Sequence, residues 1–259
     1  MEKFHVFGDE SVNGNHVVYA WIMVPSERVD AVSSIFAKVK RDFGGGVDAR
    51  FHCRELFHRH QREKGPWKHL NNRQSYEFAA ALTTALAGKG IGTVAGHVNR
   101  STAPLEILGV GELPGTKIVD SKQLIPFAYT SLLGIFIANK DYEDSLFWAE
   151  PISGKVLWGT DRRQVGQLMH AYVIDIDRNI AEKKFQPENL ETKQWHPLLE
   201  LADLLAYCTS FAVANKGVTL TRYGDRVKMS IFNSMAPNIS TFTWLDGPTG
   251  MWSNLSLSN

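Results

Sequence analysis

Two β-rich stretches divided by a short polar turn constrain this chain more than any other feature. Phe4-His5-Val6-Phe7-Gly8-Asp9-Glu10-Ser11 places Phe4, Val6 and the small Gly8 on a period of two, the pattern of a strand with one buried face. His16 to Pro25, HVVYAWIMVP, is apolar almost throughout, which suits a strand buried on both faces. The Asn13-Gly14-Asn15 turn between them predicts an antiparallel hairpin. Asp9 and Glu10 arrive where the first strand is expected to leave the sheet. An unpaired charge inside a core is expensive, so this pair either reaches solvent at the turn or holds a cation.

The segments after the hairpin alternate between helix and strand. Ser26 can cap a helix whose apolar stripe is Val29, Val32, Phe36 and Val39, ended by Gly44-Gly45-Gly46. A short mixed stretch, Arg50 to Leu56, leads into a basic run. A helix is predicted over Asn72 to Ala87, a strand over Ile91 to Val98 and an irregular insertion over 100–122. Next come a helix over Leu124 to Ala138, a strand over Lys155 to Asp161 and a helix over Arg162 to Lys184. Another helix follows over Pro197 to Ala214, a short one over Arg226 to Met235, and an extended segment over Ser240 to Trp244. This interleaving predicts an α/β layered fold. One domain is expected over 1–215, with 216–259 a C-terminal extension packed on it.

Charge and cysteine content exclude some classes. The 28 Lys and Arg nearly balance the 27 Asp and Glu, so any nucleic-acid surface has to be a local patch. The two cysteines, Cys53 and Cys208, have no metal-ligand spacing and suit a reducing compartment. No charged-then-apolar leader opens the sequence, and no apolar run approaches the roughly 18 residues that span a bilayer. A soluble cytoplasmic protein is the expectation.

Four acids stand out from their surroundings. Asp9 is placed at the end of the first strand, and Asp161 ends a later strand where a helix N-cap is an equal explanation. Glu55 lies in a His-x-x-Glu segment. Asp203 shares a polar stripe with Glu200 and Tyr207 on the 197–214 helix, and a thin solvated face would account for that stripe. Two-metal phosphodiester chemistry needs three or four carboxylates from separate elements, about 3.5–4 Å between the ions. Hard Mg²⁺ or Mn²⁺ suits oxygen ligands.

Three motifs carry a resemblance: Gly8-Asp9-Glu10-Ser11 on the first strand, Phe51-His52-Cys53-Arg54-Glu55-Leu56 after the first helix, and Pro197 to Ala206, PLLELADLLA. In order and spacing they resemble the family catalogued as domain of unknown function 3800, regarded as ribonuclease H-like with nuclease activity. The resemblance spans about residues 3 to 215. It implies an α/β fold with a ribonuclease H-like mixed sheet flanked by helices. It also implies a site in which Asp9, Glu55, Asp161 and Asp203 hold Mg²⁺ or Mn²⁺, with Glu10 and His52 as accessory groups and RNA or DNA as substrate. The chain departs from that pattern at Glu200, where glutamine is expected, and Asp120, Asp175 and Asp177 rival Asp161. The alternative is a non-catalytic module on the same fold that binds nucleic acid or protein.

The basic run Arg50, Arg54, Arg59, Arg62, Lys64 and Lys68 is expected to meet a phosphate backbone beside His52, with Trp67 stacking on a base; a solvated loop is the competing reading. His52, His58, His60 and His69 lack a zinc signature, and Gly44-Gly45-Gly46 lacks the lysine of a phosphate loop. No Gly-x-Ser-x-Gly elbow supports covalent hydrolysis. Asp9-x-Ser11 departs from the Asp-x-Asp of dehalogenase-like phosphatases.

Overall fold

The structure is a computed structural model. It describes residues 4–46, 48–103, 106–107, 116–117, 121–125, 128, 146–149, 196–244 and 250–254. The hairpin forms as predicted from strands β1 (Phe4–Asn13) and β2 (His16–Pro25), paired antiparallel from Phe4↔Pro25 to Asn13↔His16. The loop is only Gly14-Asn15, with Gly14 at φ +59°, a conformation glycine adopts without penalty. So tight a turn lets pairing run to Asn13. Asp9 is therefore not at a strand end: it sits mid-strand opposite Ala20.

Helix α1 (Val29–Asp42) buries Val29, Val32, Phe36 and Val39, and also Lys40. Two short helices follow, α2 (Cys53–Phe57) and α3 (Arg59–Arg62). Helix α4 (Asn72–Leu86) opens on a capping box, in which Asn71 and Gln74 exchange backbone-to-side-chain bonds of 2.9 Å. Strand β3 (Gly92–Asn99) pairs antiparallel with β2. Within the insertion, the two-residue strands β4 (Glu106–Ile107) and β5 (Thr116–Lys117) pair separately. Strand β6 (Leu146–Ala149), which sequence periodicity missed, runs parallel to residues 5–8 of β1. Helices α5 (Leu199–Ala214) and α6 (Tyr223–Met235) precede β7 (Asn238–Trp244), which pairs parallel with β3. A further strand, β8 (Gly250–Asn254), was not expected and pairs antiparallel with β7.

The result is a mixed six-stranded sheet in the order β6-β1-β2-β3-β7-β8, flanked by helices, an α/β architecture. The strand predicted over 155–161 and the helix over 162–184 lie outside the described residues, as does most of the helix predicted over 124–138.

Strand alternation divides the sheet into two environments. One face carries Phe7, Val18, Ala20, Ile22, Val24 and Ala95, and it packs with α1, α4, α5 and α6 into one apolar cluster. The other carries Val6, Val17, Tyr19 and Trp21, all fully buried, with Leu124 and Ile125 also buried. Helix α5 lies across β1 and β2 and is buried around nearly its whole circumference, as its apolar composition requires. Its Glu200 and Asp203 are buried too, so the stripe is no solvated face. No helix among the described residues is long and apolar enough to cross a membrane.

Gly8 shows how tightly β1 is set. A Cβ there would stand 2.3 Å from the Trp21 ring on the neighbouring strand. Gly8→Ala is expected to cost about 1–3 kcal/mol in chemical denaturation, the usual penalty for overpacking a filled core.

Candidate metal centre

Three elements bring the site together. Asp9 points from the middle of β1 to the face that α5 covers, on the same side as Phe7 and Ser11. Asp203 comes from α5, which is tied to the same strand two turns further on, where the Ser210 and Ser11 hydroxyls lie 2.9 Å apart. His52 comes from the segment entering α2. The ligand atoms of Asp9, His52 and Asp203 all lie within 4.8 Å of one another. Asp9 and Asp203 are each only 5% exposed, whereas the His52 side chain is half exposed.

Each group is held from behind. The Asp203 Oδ2 accepts a 2.5 Å bond from the backbone N–H of Cys53 and lies 3.3 Å from the His52 Nδ1. It thereby satisfies a donor at the start of α2 that has no partner within the helix. Asp9 Oδ1 accepts a 2.8 Å bond from the backbone N–H of Glu10. No lysine or arginine pairs with Asp203 among the described residues.

One turn before Asp203, Glu200 is treated differently. Lys40 of α1 reaches both of its oxygens, at 2.9 and 2.7 Å, and the Phe51 backbone N–H also binds its carboxylate. Burial dominates all the same, raising the Glu200 pKa to about 7 and lowering that of Lys40. Lys40 was not foreseen as part of this region. Its signal was present: it lies four residues after Phe36, in the buried register of α1.

The remaining predicted residues divide. Glu10 is the next residue to Asp9 on a pleated strand, so its side chain leaves from the opposite face of the sheet. Glu55 is exposed on α2 and is not a member of the cluster. Asp161 lies outside the described residues, as do its rivals Asp120, Asp175 and Asp177. Arg54 is exposed, and Arg59 is exposed in an i,i+4 pair with Glu63 at 2.7 Å.

Arg62 and Trp67 require correction. Arg62 is 3% exposed and donates to the carbonyls of Leu56 (2.6 Å) and Leu70 (2.9 Å) and to the Asn72 side chain (2.5 Å). It fastens the loop after α3 and has no face for a phosphate. Trp67 is 2% exposed, stacks on Phe78 at 4.5 Å between ring centroids, and donates its indole N–H to Arg50 O. A base cannot reach it. Both cysteines are buried with thiol pKa values pushed up by burial, so neither supplies a thiolate.

The donor set, two carboxylates and an imidazole from three separate elements, fits a divalent cation. A carboxylate that merely capped α2 would need no second buried carboxylate beside it.

A scan against protein-family models finds no match for the chain, and no curated protein and no solved structure matches it.

Two outcomes test these placements. Arg62→Ala should cost about 2–4 kcal/mol, because two buried carbonyls lose their donor, while Arg59→Ala leaves the melting temperature unchanged. For Glu200, the folded pKa exceeds the unfolded one, so the folded state binds the extra proton between about pH 4.5 and 7. Its contribution is present below that window and is lost as pH rises through it. Urea titrations at stepped pH should show stability falling across this range in the wild type, and Glu200→Gln should flatten that fall.

Proposed function

We propose that the chain is a divalent-metal-dependent nuclease that hydrolyses phosphodiester bonds of RNA or DNA on a ribonuclease H-like fold. The observation that carries the reading is the convergence of Asp9 and Asp203, 194 residues apart in sequence, as buried carboxylates on one point with His52. The resemblance to the domain of unknown function 3800 family adds the chemistry and rests on the three quoted motifs. The mixed sheet, with an interior strand bearing Asp9 and a late helix bearing Asp203, supports it.

In this reading Asp9, Asp203 and His52 hold the ion, and the resemblance adds Glu55 and Asp161 to the set. A divalent cation held there would supply Lewis acidity, lowering the pKa of a bound water and offsetting charge on the phosphate and the leaving oxygen. The chain's own groups do the rest. Cys53 N–H fixes the Asp203 carboxylate, and the Glu10 N–H fixes that of Asp9, so neither has to reorganise during reaction. The exposed Arg50, Arg54, Lys64 and Lys68 supply positive charge along the loop that leads to His52 and beyond it. A module that only bound nucleic acid would be weakened by two carboxylates near a polyanion.

Asp9→Asn and Asp203→Asn keep side-chain shape and remove charge. Each should abolish Mn²⁺-dependent cleavage of single- and double-stranded RNA and DNA substrates while leaving the fold intact. Mn²⁺ at a hundred times its dissociation constant should stabilise the wild type by about 2.7 kcal/mol and the variants far less. Cleavage that survives in both variants would sink the assignment.

A further inference from the structure

We infer that His52 is a nitrogen ligand of the cation, and that the centre therefore takes a first-row transition ion in preference to Mg²⁺. The inference rests on the metal-site reading above and concerns which ion the site selects.

The loop carrying His52 is fixed from both sides. Phe51 and Cys53 are 5% and 0% exposed, and each gives its backbone N–H to a carboxylate of α5, Phe51 to Glu200 and Cys53 to Asp203. Glu200 is itself gripped by Lys40, whose ammonium sits 5.0 Å from the centre of the Phe36 ring. Between these anchors His52 is extended, at φ −116° and ψ 136°. Its side chain therefore leaves the backbone on the side opposite to its buried neighbours. Only two side-chain torsions remain free, and they already bring the ring nitrogen to 3.3 Å from Asp203.

That spacing is what a shared ion needs. Ligands at about 2.1 Å from one octahedral ion stand roughly 3 Å apart when adjacent and about 4.2 Å apart when opposite. The 3.3 Å imidazole–carboxylate separation and the 4.8 Å limit on the whole cluster require only a small contraction around an ion. A site built only to hold Mg²⁺ would offer oxygens and waters, because that ion sheds water reluctantly. An imidazole favours the transition ions, with affinity rising from Mn²⁺ towards Co²⁺ and Ni²⁺.

Calorimetric titration of the full chain with Co²⁺, Mn²⁺ and Mg²⁺, without nucleic acid, tests this. Co²⁺ should bind more than about tenfold more tightly than Mg²⁺, with Mn²⁺ between them. His52→Ala, a change at a half-exposed side chain, should weaken Co²⁺ about tenfold or more and Mg²⁺ by less than about threefold. It should also alter the visible absorption of bound Co²⁺. His52→Asp should retain Mg²⁺ binding and lose the preference for Co²⁺. A selectivity ratio and Co²⁺ spectrum unchanged in His52→Ala would overturn the imidazole assignment and leave the carboxylate site standing. Failure of the wild type to bind any of the three ions would overturn both readings.

Discussion

A helix buried on every side has to find partners for each charge it carries, and α5 carries two. Glu200 and Asp203 lie one turn apart and both turn inward. Neither could be tolerated there unpaired, since a lone ionised carboxylate in a core costs several kcal/mol. The fold answers by bringing residues 51–53 against the helix, so that the Phe51 and Cys53 amides bind the two carboxylates in turn. This gives the segment between α1 and α4 a fixed path although its only regular structure is the two short helices α2 and α3. It also ties three regions, α1 through Lys40, α2 through Cys53 and β1 through Ser11, to one helix.

Much of this was readable beforehand. The hairpin, α1, α4, β3, α5 and the last helix follow from apolar period and turn residues, and their edges shift by only a few positions. Asp9 was singled out as one of two adjacent carboxylates where the first strand was expected to leave the sheet, and Asp203 as part of a narrow polar stripe hemmed by leucines on an otherwise apolar helix. Their proximity was not legible from periodicity, because pairing across 194 residues is a property of the sheet and its covering helix. The motif resemblance supplied that link.

Where the reading failed, it treated charge as a mark of exposure. Arg62 stood in a run of basic residues and was assigned to a phosphate backbone. In the fold its guanidinium fills a pocket of backbone carbonyls that no other side chain could satisfy as well, having five donors in one plane. Trp67 had the same fate, its indole N–H closing onto Arg50 O while its ring joins Phe51 and Phe78. Glu200 was read as part of a solvated stripe, and its partner Lys40 went unnoticed, because the register of α1 turns Lys40 inward but does not name a partner 160 residues away. β6 and β8 were missed for the opposite reason. Four- and five-residue strands hold too few side chains to show a period.

The contrast between the two acids of α5 is the strongest pointer to function in the fold. The protein neutralises Glu200 with a buried lysine, or with a proton, since burial lifts its pKa to about 7. Asp203 has the same chemistry and the same degree of burial, yet its partners are a neutral amide and a histidine. It also faces Asp9, a second buried carboxylate. Selection for stability alone would treat the two positions alike, because like charges brought together raise the energy of the folded state. The charge at Glu200 is answered by a buried lysine, whereas Asp203 is met by a neutral amide and a histidine and stands beside Asp9 on the half-exposed side where His52 lies, and it is this difference that the metal-site proposal builds on.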